Sequence, residues 1–165
     1  MDDKNKFNLP IYILLKCFNE TGNHKLDIDI SNNKILSKTL ESKKTHTIKI
    51  DSLYNFKSSS IVKINFNWTG DEHANKYLKI LKICVNDQKL TLHNLFYYPI
   101  KNEYIKKLSA NEYKEKILKP GKTYGWYGRL TSTFKLGNSI DIKKLTRNDA
   151  YNLIIPGGDK VYIND

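Results

Sequence analysis

The sequence predicts a mainly β protein, an antiparallel two-sheet β-sandwich of jelly-roll type with one short helical insertion. Three observations predict this fold. Short segments of alternating apolar and polar residues recur along the chain, polar turn residues separate them, and a helical pattern occurs at about 101–118. Without crossover-length helices between the strands, a parallel sheet is not expected. An up-and-down barrel is the alternative arrangement of the same strands.

The chain length fits one domain, and we expect residues 1–165 to form it. The helical insertion occupies about 101–118, and a C-terminal extension with a weaker pattern occupies about 140–165. The opening residues Met1–Lys6 are not followed by the apolar region of a secretory signal. The most apolar run, Ile11–Leu15, is too short to span a membrane and is interpreted as a buried strand.

The next segments form predicted hairpins. Leu26–Ile30 alternates aliphatic residues with two aspartates, and Asn32–Asn33 suits the positive φ values of a tight turn. The chain then returns through Ile35–Leu40. Thr45–Asp51 is a further strand, with its isoleucines facing inward.

Two longer strands follow. The first has an apolar face of Val62, Ile64, Phe66 and Trp68, and a polar face of Lys63, Asn65 and Asn67. In the second, Leu78–Val85, the apolar phase slips between Ile80 and Leu81. Such a slip indicates either a β-bulge or a strand that is covered on both faces. A turn at Asn86–Gln88 leads into a return strand at Leu90–Leu92.

The last third of the chain begins with the helical insertion. Ser109–Glu112 has the pattern of a capping box, and Tyr113 and Ile117 lie four residues apart behind it. The last clear strand is predicted at Trp126–Leu136. Thr146–Asp149 has the residues to cap one more helical turn.

The formal net charge is +11, and Arg129 and Arg147 are the only arginines, so 26 of the 28 basic residues are lysines. Lysine supplies a mobile point charge, whereas specific reading of bases or phosphates favours arginine. The abundance of Asn, Ile, Tyr and Lys is also typical of an A/T-rich genome. We therefore expect nucleic acid to be attracted only nonspecifically, at low salt.

No motif of catalytic or metal-binding chemistry is specific enough to predict an enzyme or a cofactor. The four histidines lack a signature context, and neither Gly-x-Ser-x-Gly nor a Gly-rich phosphate loop occurs. Asp71, Glu72 and His73 could hold a cation with help from Asn75, but their spacing matches no known metal motif. A polar surface loop is the plainer interpretation.

Two further pairs of side chains have plain interpretations. Asp27 and Asp29 leave the same side of one strand, where they could form a carboxylate pair but are expected to be solvated. Cys17 and Cys84 are interpreted as buried, reduced thiols, and a disulfide between them is the alternative.

Aromatic residues carry the stronger functional signal. Three rings and an arginine are interleaved with two glycines in Tyr124–Arg129, and Trp68 ends a strand beside the polar loop. Sugars lay their C–H faces on such rings, while amides and carboxylates bind the hydroxyl groups. The same composition suits a core or a subunit interface. The predicted contact set for a glycan or a partner is Trp68, Asp71, Glu72, His73, Tyr124, Trp126, Tyr127 and Arg129.

The run Asn75–Asp87 resembles the strand and turn of xylan-binding-type β-sandwich carbohydrate-binding modules. The layout from Leu26 to Leu136 is similar to small β-sandwich proteins encoded among the tail genes of T4-like and marine tailed phages. In those proteins an aromatic–glycine segment, like Gly125–Gly128 here, precedes a strand that ends in phenylalanine, as at Phe134.

The sequence departs from the carbohydrate-binding pattern at two points. Asp71 and Glu72 stand nearly alone in a loop where calcium-dependent modules have several carboxylates, so no calcium site is carried over. Asp87 stands where the turn usually has glycine.

The resemblance implies a non-catalytic sandwich that leaves the host cytoplasm inside a virion. The first hypothesis is a structural or adhesive protein of a phage tail, baseplate or fibre. Its partners would be other virion proteins, in several copies on a symmetric scaffold, and a host surface glycan. The alternative is a lysine-rich intracellular nucleic-acid-associated protein, which predicts lysines gathered on one surface with aromatics between them. An enzyme would need His73 and a carboxylate to converge in a deep cleft.

Overall fold

Antiparallel strands dominate the protein in a computed structural model. The structure describes residues 6–8, 10–20, 23–31, 33–50, 55–57, 61–71, 74–100, 103–118, 123–136, 142–143 and 145–154. The strands are β1 (Lys6–Asn8), β2 (Ile11–Asn19), β3 (Asn23–Ile30), β4 (Asn33–Glu41), β5 (Thr45–Ile50), β6 (Asn55–Lys57), β7 (Ile61–Thr69), β8 (Lys76–Val85), β9 (Gln88–Lys89), β10 (Leu95–Pro99), β11 (Gly128–Leu136) and β12 (Ile142–Lys143). The helices are α1 (Glu103–Lys106), α2 (Ala110–Leu118) and α3 (Arg147–Ile154), and a 3₁₀ turn covers Leu92–Asn94.

Two sheets make the sandwich. The larger has the strand order β10-β11-β7-β3-β4, with β12 paired to β11, and the smaller has the order β5-β2-β8-β9. A separate ribbon pairs β1 with β6. The inward side chains of both sheets belong to one hydrophobic cluster. The predicted two-sheet antiparallel sandwich is confirmed, and the up-and-down barrel is not the arrangement of the described strands.

The alternation of apolar and polar residues along the strands places the apolar side chains in the core, as predicted. On β7 the four apolar side chains from Val62 to Trp68 are all at most 1% exposed, and their polar neighbours face outward. Ile48 and Ile50 of β5 are buried as well. The hairpin of β3 and β4 closes at Ile30 and Asn33, and Ser31 in its turn has a φ of 48°.

The phase slip in β8 is a β-bulge. Leu15 of β2 pairs with Ile80, and Leu14 pairs with Lys82, so Leu81 has no partner across the ladder. Because of this extra residue, Ile80 and Ile83 both point into the core although they lie three residues apart. The bulge alternative is therefore confirmed.

The β8–β9 hairpin turns through Asn86 and Asp87, whose φ values are 49° and 63°. Positive φ at both central residues is the requirement of a type I′ turn, and Asn and Asp tolerate it better than most residues. The return strand is shorter than the predicted Leu90–Leu92 and lies earlier, at Gln88–Lys89. The chain then enters the 3₁₀ turn.

The helical insertion is confirmed and consists of α1 and α2. At the start of α2 the Glu112 amide donates to Ser109 Oγ at 3.2 Å, and the Ser109 amide donates to Glu112 Oε1 at 3.1 Å, which is the reciprocal bonding of a capping box. The predicted cap of a later helix is also present, because the Asp149 amide donates to Thr146 Oγ1 at 3.1 Å. That helix is α3, within the C-terminal extension.

Helices α2 and α3 cover one end of the larger sheet. They pack on the outward side of β10 and β11 and form a second cluster with Phe96, Ile117, Ala150 and Tyr151. Arg147 of α3 is 1% exposed; its guanidinium lies 4.3 Å from the Phe96 ring and donates through Nε to the Leu118 carbonyl at 3.2 Å. Because these helices cover this part of the sheet, Thr131 and Thr133 are buried although they point outward from it.

Cys17 and Cys84 are both buried, as predicted, and no disulfide joins them. Cys17 Sγ donates to the Glu41 carbonyl at 3.2 Å, and burial raises the pKa of the Cys17 thiol to about 11. None of the helices in the described part of the chain is long and apolar enough to cross a membrane.

Candidate functional site

The end of the sandwich where β7 meets the segment before β11 is filled by a buried aromatic cluster. Trp68 and Tyr127 pack edge to face with their ring centroids 4.6 Å apart. Trp68 Nε1 donates to His24 Nδ1 at 2.8 Å, and Asn19 Nδ2 donates to the Tyr127 hydroxyl at 2.7 Å. All four side chains are at most 3% exposed, so the cluster is part of the core.

Two glycines allow close approaches at this end of the sandwich, Gly70 to the Tyr127 ring and Gly128 to the backbone of β10. A Cβ added at Gly70 would lie 2.1 Å from the Tyr127 hydroxyl, and one added at Gly128 would lie 2.2 Å from the Tyr98 carbonyl oxygen. By contrast, a Cβ at Gly125 would meet nothing within 4 Å. Gly70 and Gly128 are thus required by close approach, whereas Gly125 is not.

His24 is the titratable group of this cluster. Its Nδ1 accepts from Trp68, so in the neutral ring Nε2 carries the proton, and this buried atom has no hydrogen-bond partner among the described residues. Burial, with smaller contributions from repulsion by His46 and Lys76, lowers the pKa of His24 to about 4. The ring is therefore neutral at physiological pH and lines a shallow pocket with Thr39, Thr69 and Gly70.

The predicted contact set does not form one exposed surface. Trp68, Tyr124 and Tyr127 are at most 5% exposed, because they lie on the inward side of the larger sheet or in the core beside it. The structure corrects the expectation that these three residues form a ring platform, since a buried ring presents no face to a sugar. Asp71 and Arg129 are exposed and Trp126 is half-buried. Glu72 and His73 lie outside the described residues.

Polar side chains instead line up across the outward face of the larger sheet. Strand register places Ser37, Asp27, Asn67, Arg129 and Tyr98 side by side on five neighbouring strands, and we call these five residues the cross-sheet row. With strands about 4.8 Å apart, the row extends over roughly 19 Å. It combines a hydroxyl, a carboxylate, an amide, a guanidinium and an aromatic ring.

Cationic side chains contact members of the row near both of its ends. The Arg129 guanidinium lies over the Tyr98 ring, 4.6 Å from its centroid. At the other end, Lys34 and Lys25 approach the Asp27 carboxylate at 3.6 and 3.9 Å. A hydrogen bond from Ser37, together with these two lysines, lowers the pKa of Asp27. Asp27 is consequently an ionised acceptor at neutral pH.

A second set of polar residues lies beside the row. Asn67 Nδ2 donates to Asp29 Oδ2 at 2.9 Å, and Thr131 Oγ1 donates to Asn65 Oδ1 at 2.8 Å. These bonds fix both amide planes. An asparagine side chain has two donors and two acceptor lone pairs, so one bond leaves capacity for a ligand.

Trp126 stands where the connection from α2 enters β11. Its backbone N–H donates to the Tyr97 hydroxyl at 3.1 Å, and the same hydroxyl donates back to the Trp126 carbonyl. Lys116 of α2 lies over the indole, 5.2 Å from the ring centroid. Trp126 is therefore the one ring of the aromatic–glycine segment that the structure leaves partly accessible.

Sequence reasoning found Arg129 but missed the other members of the cross-sheet row. A signal was present, because Asp27 and Asn67 share the outward side of their strands with Asp29 and Asn65. The pairing of β3 with β7, and of β7 with β11, joins residues far apart in the chain. No local pattern predicts that register.

No protein-family model and no curated protein matches the chain. The chain is similar to the solved structure of the selenomethionine form of vCBM60, described with two families of calcium-dependent carbohydrate-binding modules linked by circular permutation. That match has a TM-score of 0.52 and 10% identity, and covers 82% of this chain and 99% of that chain. A second match, vCBM60 in complex with galactobiose, has a TM-score of 0.46 and 13% identity, and covers 75% of this chain and 98% of that chain.

The described residues do not fit a calcium ion. Calcium takes six to eight oxygen ligands, several of them carboxylates. Within the described residues no group of three or more His, Cys, Asp or Glu side chains could hold a metal ion. What the vCBM60 likeness establishes for this chain is the fold, a β-sandwich of the kind found in carbohydrate-binding modules.

Proposed function

We propose that the protein is a non-catalytic adhesive β-sandwich that binds a glycan on the outward face of its larger sheet. The observation that carries this proposal is the cross-sheet row, in which five strands present five different polar or aromatic groups in one line. A sugar needs acceptors and donors for its hydroxyl groups and a flat surface for its C–H face. Asp27 and Asn67 supply acceptors and donors, and the guanidinium of Arg129, which lies over the half-buried Tyr98 ring, supplies the flat surface.

Each member of the row has a role in this proposal. The ionised Asp27 accepts from sugar hydroxyls, and Asn67 both donates and accepts. The guanidinium of Arg129, lying on Tyr98, offers donors at its edge and a flat surface at its centre. Trp126 extends the contact at the end of β11 nearest α2.

The state of the acids supports binding over hydrolysis. Glycoside hydrolysis requires one carboxyl group that keeps its proton near neutral pH. Asp27 has a lowered pKa because Ser37 and two lysines stabilise its ionised form, and Asp29 accepts a bond from Asn67. Asp27 is therefore unsuited to act as a general acid.

The proposal includes a place in the particle of a tailed phage, as part of the tail, baseplate or fibre. Weak glycan sites gain avidity when several copies sit on a symmetric scaffold, which suits an adhesive virion protein. Mass spectrometry of purified particles tests this part separately. Absence of the protein from particles would contradict the virion role and leave the glycan site to be judged by its own assay.

Affinity electrophoresis in gels that contain xylan, galactan or a bacterial O-polysaccharide tests the glycan site. Retardation in one of these gels is expected for the wild type. Arg129→Ala and Asn67→Ala should each weaken it about tenfold or more, because each removes groups that bond to hydroxyls. Thr47→Ala, an exposed substitution on the smaller sheet, is the control and should leave retardation unchanged.

Retardation that survives in folded Arg129→Ala and Asn67→Ala proteins would contradict the cross-sheet row as the site. Trp126→Ala separates the two parts of the surface. If it alone abolishes retardation, the contact lies at the end of β11 and the row is not the main binding element.

A further inference from the structure

The outward face of the smaller sheet has a different composition from that of the larger one. Register and burial place twelve side chains there: Tyr12, Leu14, Lys16, Phe18, Thr45, Thr47, Lys49, Tyr77, Lys79, Lys82, Cys84 and Lys89. We call this set the basic face. It has five lysines, and none of the twelve positions is an aspartate or a glutamate. The basic face is therefore a patch of concentrated positive charge.

The lysines of the basic face repel one another. Lys16 of β2 and Lys79 of β8 are directly opposite in the ladder, a placement that destabilises a sheet when both charges have the same sign. The ion pairs formed between described residues use Lys25, Lys34 and Lys44, which lie elsewhere. A polyanion laid on this face would relieve the repulsion.

Aromatic rings lie among these lysines. Phe18 and Tyr77 are cross-strand neighbours and stack with their centroids 5.7 Å apart and their planes 21° apart. Tyr12 lies toward the opposite end of β2, paired with Lys49 of β5. Since strands rise about 3.3 Å per residue, the distance from Tyr12 to Phe18 along β2 is roughly 20 Å. That length accommodates a few nucleotides.

We infer that the basic face binds single-stranded nucleic acid without sequence preference. Bases stack on the half-buried rings of Tyr12, Phe18 and Tyr77, and the lysines neutralise the phosphates, which is the general mode of single-strand recognition. An acidic polysaccharide fits less well. The twelve positions include no carboxylate or amide side chain to accept from sugar hydroxyls, in contrast with the cross-sheet row on the other sheet.

Fluorescence anisotropy with a labelled oligothymidine of roughly 15 nucleotides tests the inference. For five phosphate contacts, affinity should fall about a hundredfold between about 50 mM and about 200 mM salt. The triple substitution Lys16→Gln, Lys79→Gln and Lys82→Gln should reduce the slope of log affinity against log salt by about two.

A matched control distinguishes binding at the basic face from attraction by the net charge of the whole protein. Substituting Lys106, Lys107 and Lys114 by Gln removes the same charge from the helical side and should leave the wild-type slope unchanged. Equal loss in both triple variants would overturn the inference, since it would show attraction by total charge alone.

A second variant tests the rings. Phe18→Leu with Tyr77→Leu keeps every lysine and should weaken oligothymidine binding about tenfold at fixed salt, with binding to heparin unchanged. If this folded variant binds oligothymidine as the wild type does, or if heparin binds the wild type more tightly than oligothymidine does, the assignment to single-stranded nucleic acid is wrong. Neither result bears on retardation in polysaccharide gels, which tests the other sheet.

Discussion

Acidification should destabilise the protein through His24 at a pH where most carboxylates are still ionised. The folded-state pKa of His24 is lowered from 6.5 to about 4, so the unfolded chain binds a proton that the folded protein excludes. This contribution to stability is complete above about pH 6.5 and is lost progressively as the pH falls from 6.5 towards the folded-state pKa of about 4. At about pH 4.5 the loss amounts to roughly 2 to 3 kcal/mol of unfolding free energy.

Urea unfolding of the wild type and of His24→Gln at about pH 7.5 and at about pH 4.5 measures the effect. Glutamine can still accept from Trp68 Nε1 but does not titrate. The variant should therefore lose less stability on acidification, by roughly 2 kcal/mol. The pKa values of Asp27, Glu41 and Glu112 are also lowered, and protonation of these groups should destabilise both proteins equally. Equal losses in the two proteins would refute the assignment of the buried, neutral imidazole.

Two further predictions concern packing. Gly128→Ala should lower the free energy of unfolding by about 2 kcal/mol or more, because its Cβ would meet the Tyr98 carbonyl at 2.2 Å, while Gly125→Ala, with nothing within 4 Å, should be nearly neutral in the same urea experiment. Arg147→Lys should cost about 3 kcal/mol, since the ammonium cannot reproduce the buried guanidinium contacts to the Leu118 carbonyl and the Phe96 ring. An unchanged melting temperature for Arg147→Lys would contradict that role.

Local pattern was enough to predict much of the fold. Alternation along β7 predicted its buried face, and the slip between Ile80 and Leu81 located the bulge within one residue. The capping box at Ser109 predicted the start of α2. In each case the determining interactions lie within a few residues along the chain, so the sequence displays them directly.

The site was harder to predict because it depends on register and on tertiary cover. Alternation already placed Trp68 inward, yet its position at a strand end beside a polar loop suggested exposure. The cross-sheet row forms only once β3, β7 and β11 are aligned, and that alignment involves residues far apart in sequence. Alternation along β11 places Thr131 and Thr133 on the outward side of the sheet, and they are buried because α3 packs against that strand.

The bulge at Leu81 constrains chain length as well as composition. With the extra residue absent, one half of β8 would turn its aliphatic side chains to solvent and its lysines into the core. An insertion or deletion of one amino acid should therefore be rejected here by selection, yet tolerated in an exposed connection such as the one between α1 and α2. Among homologues of this chain, gaps at this position should be rarer than substitutions.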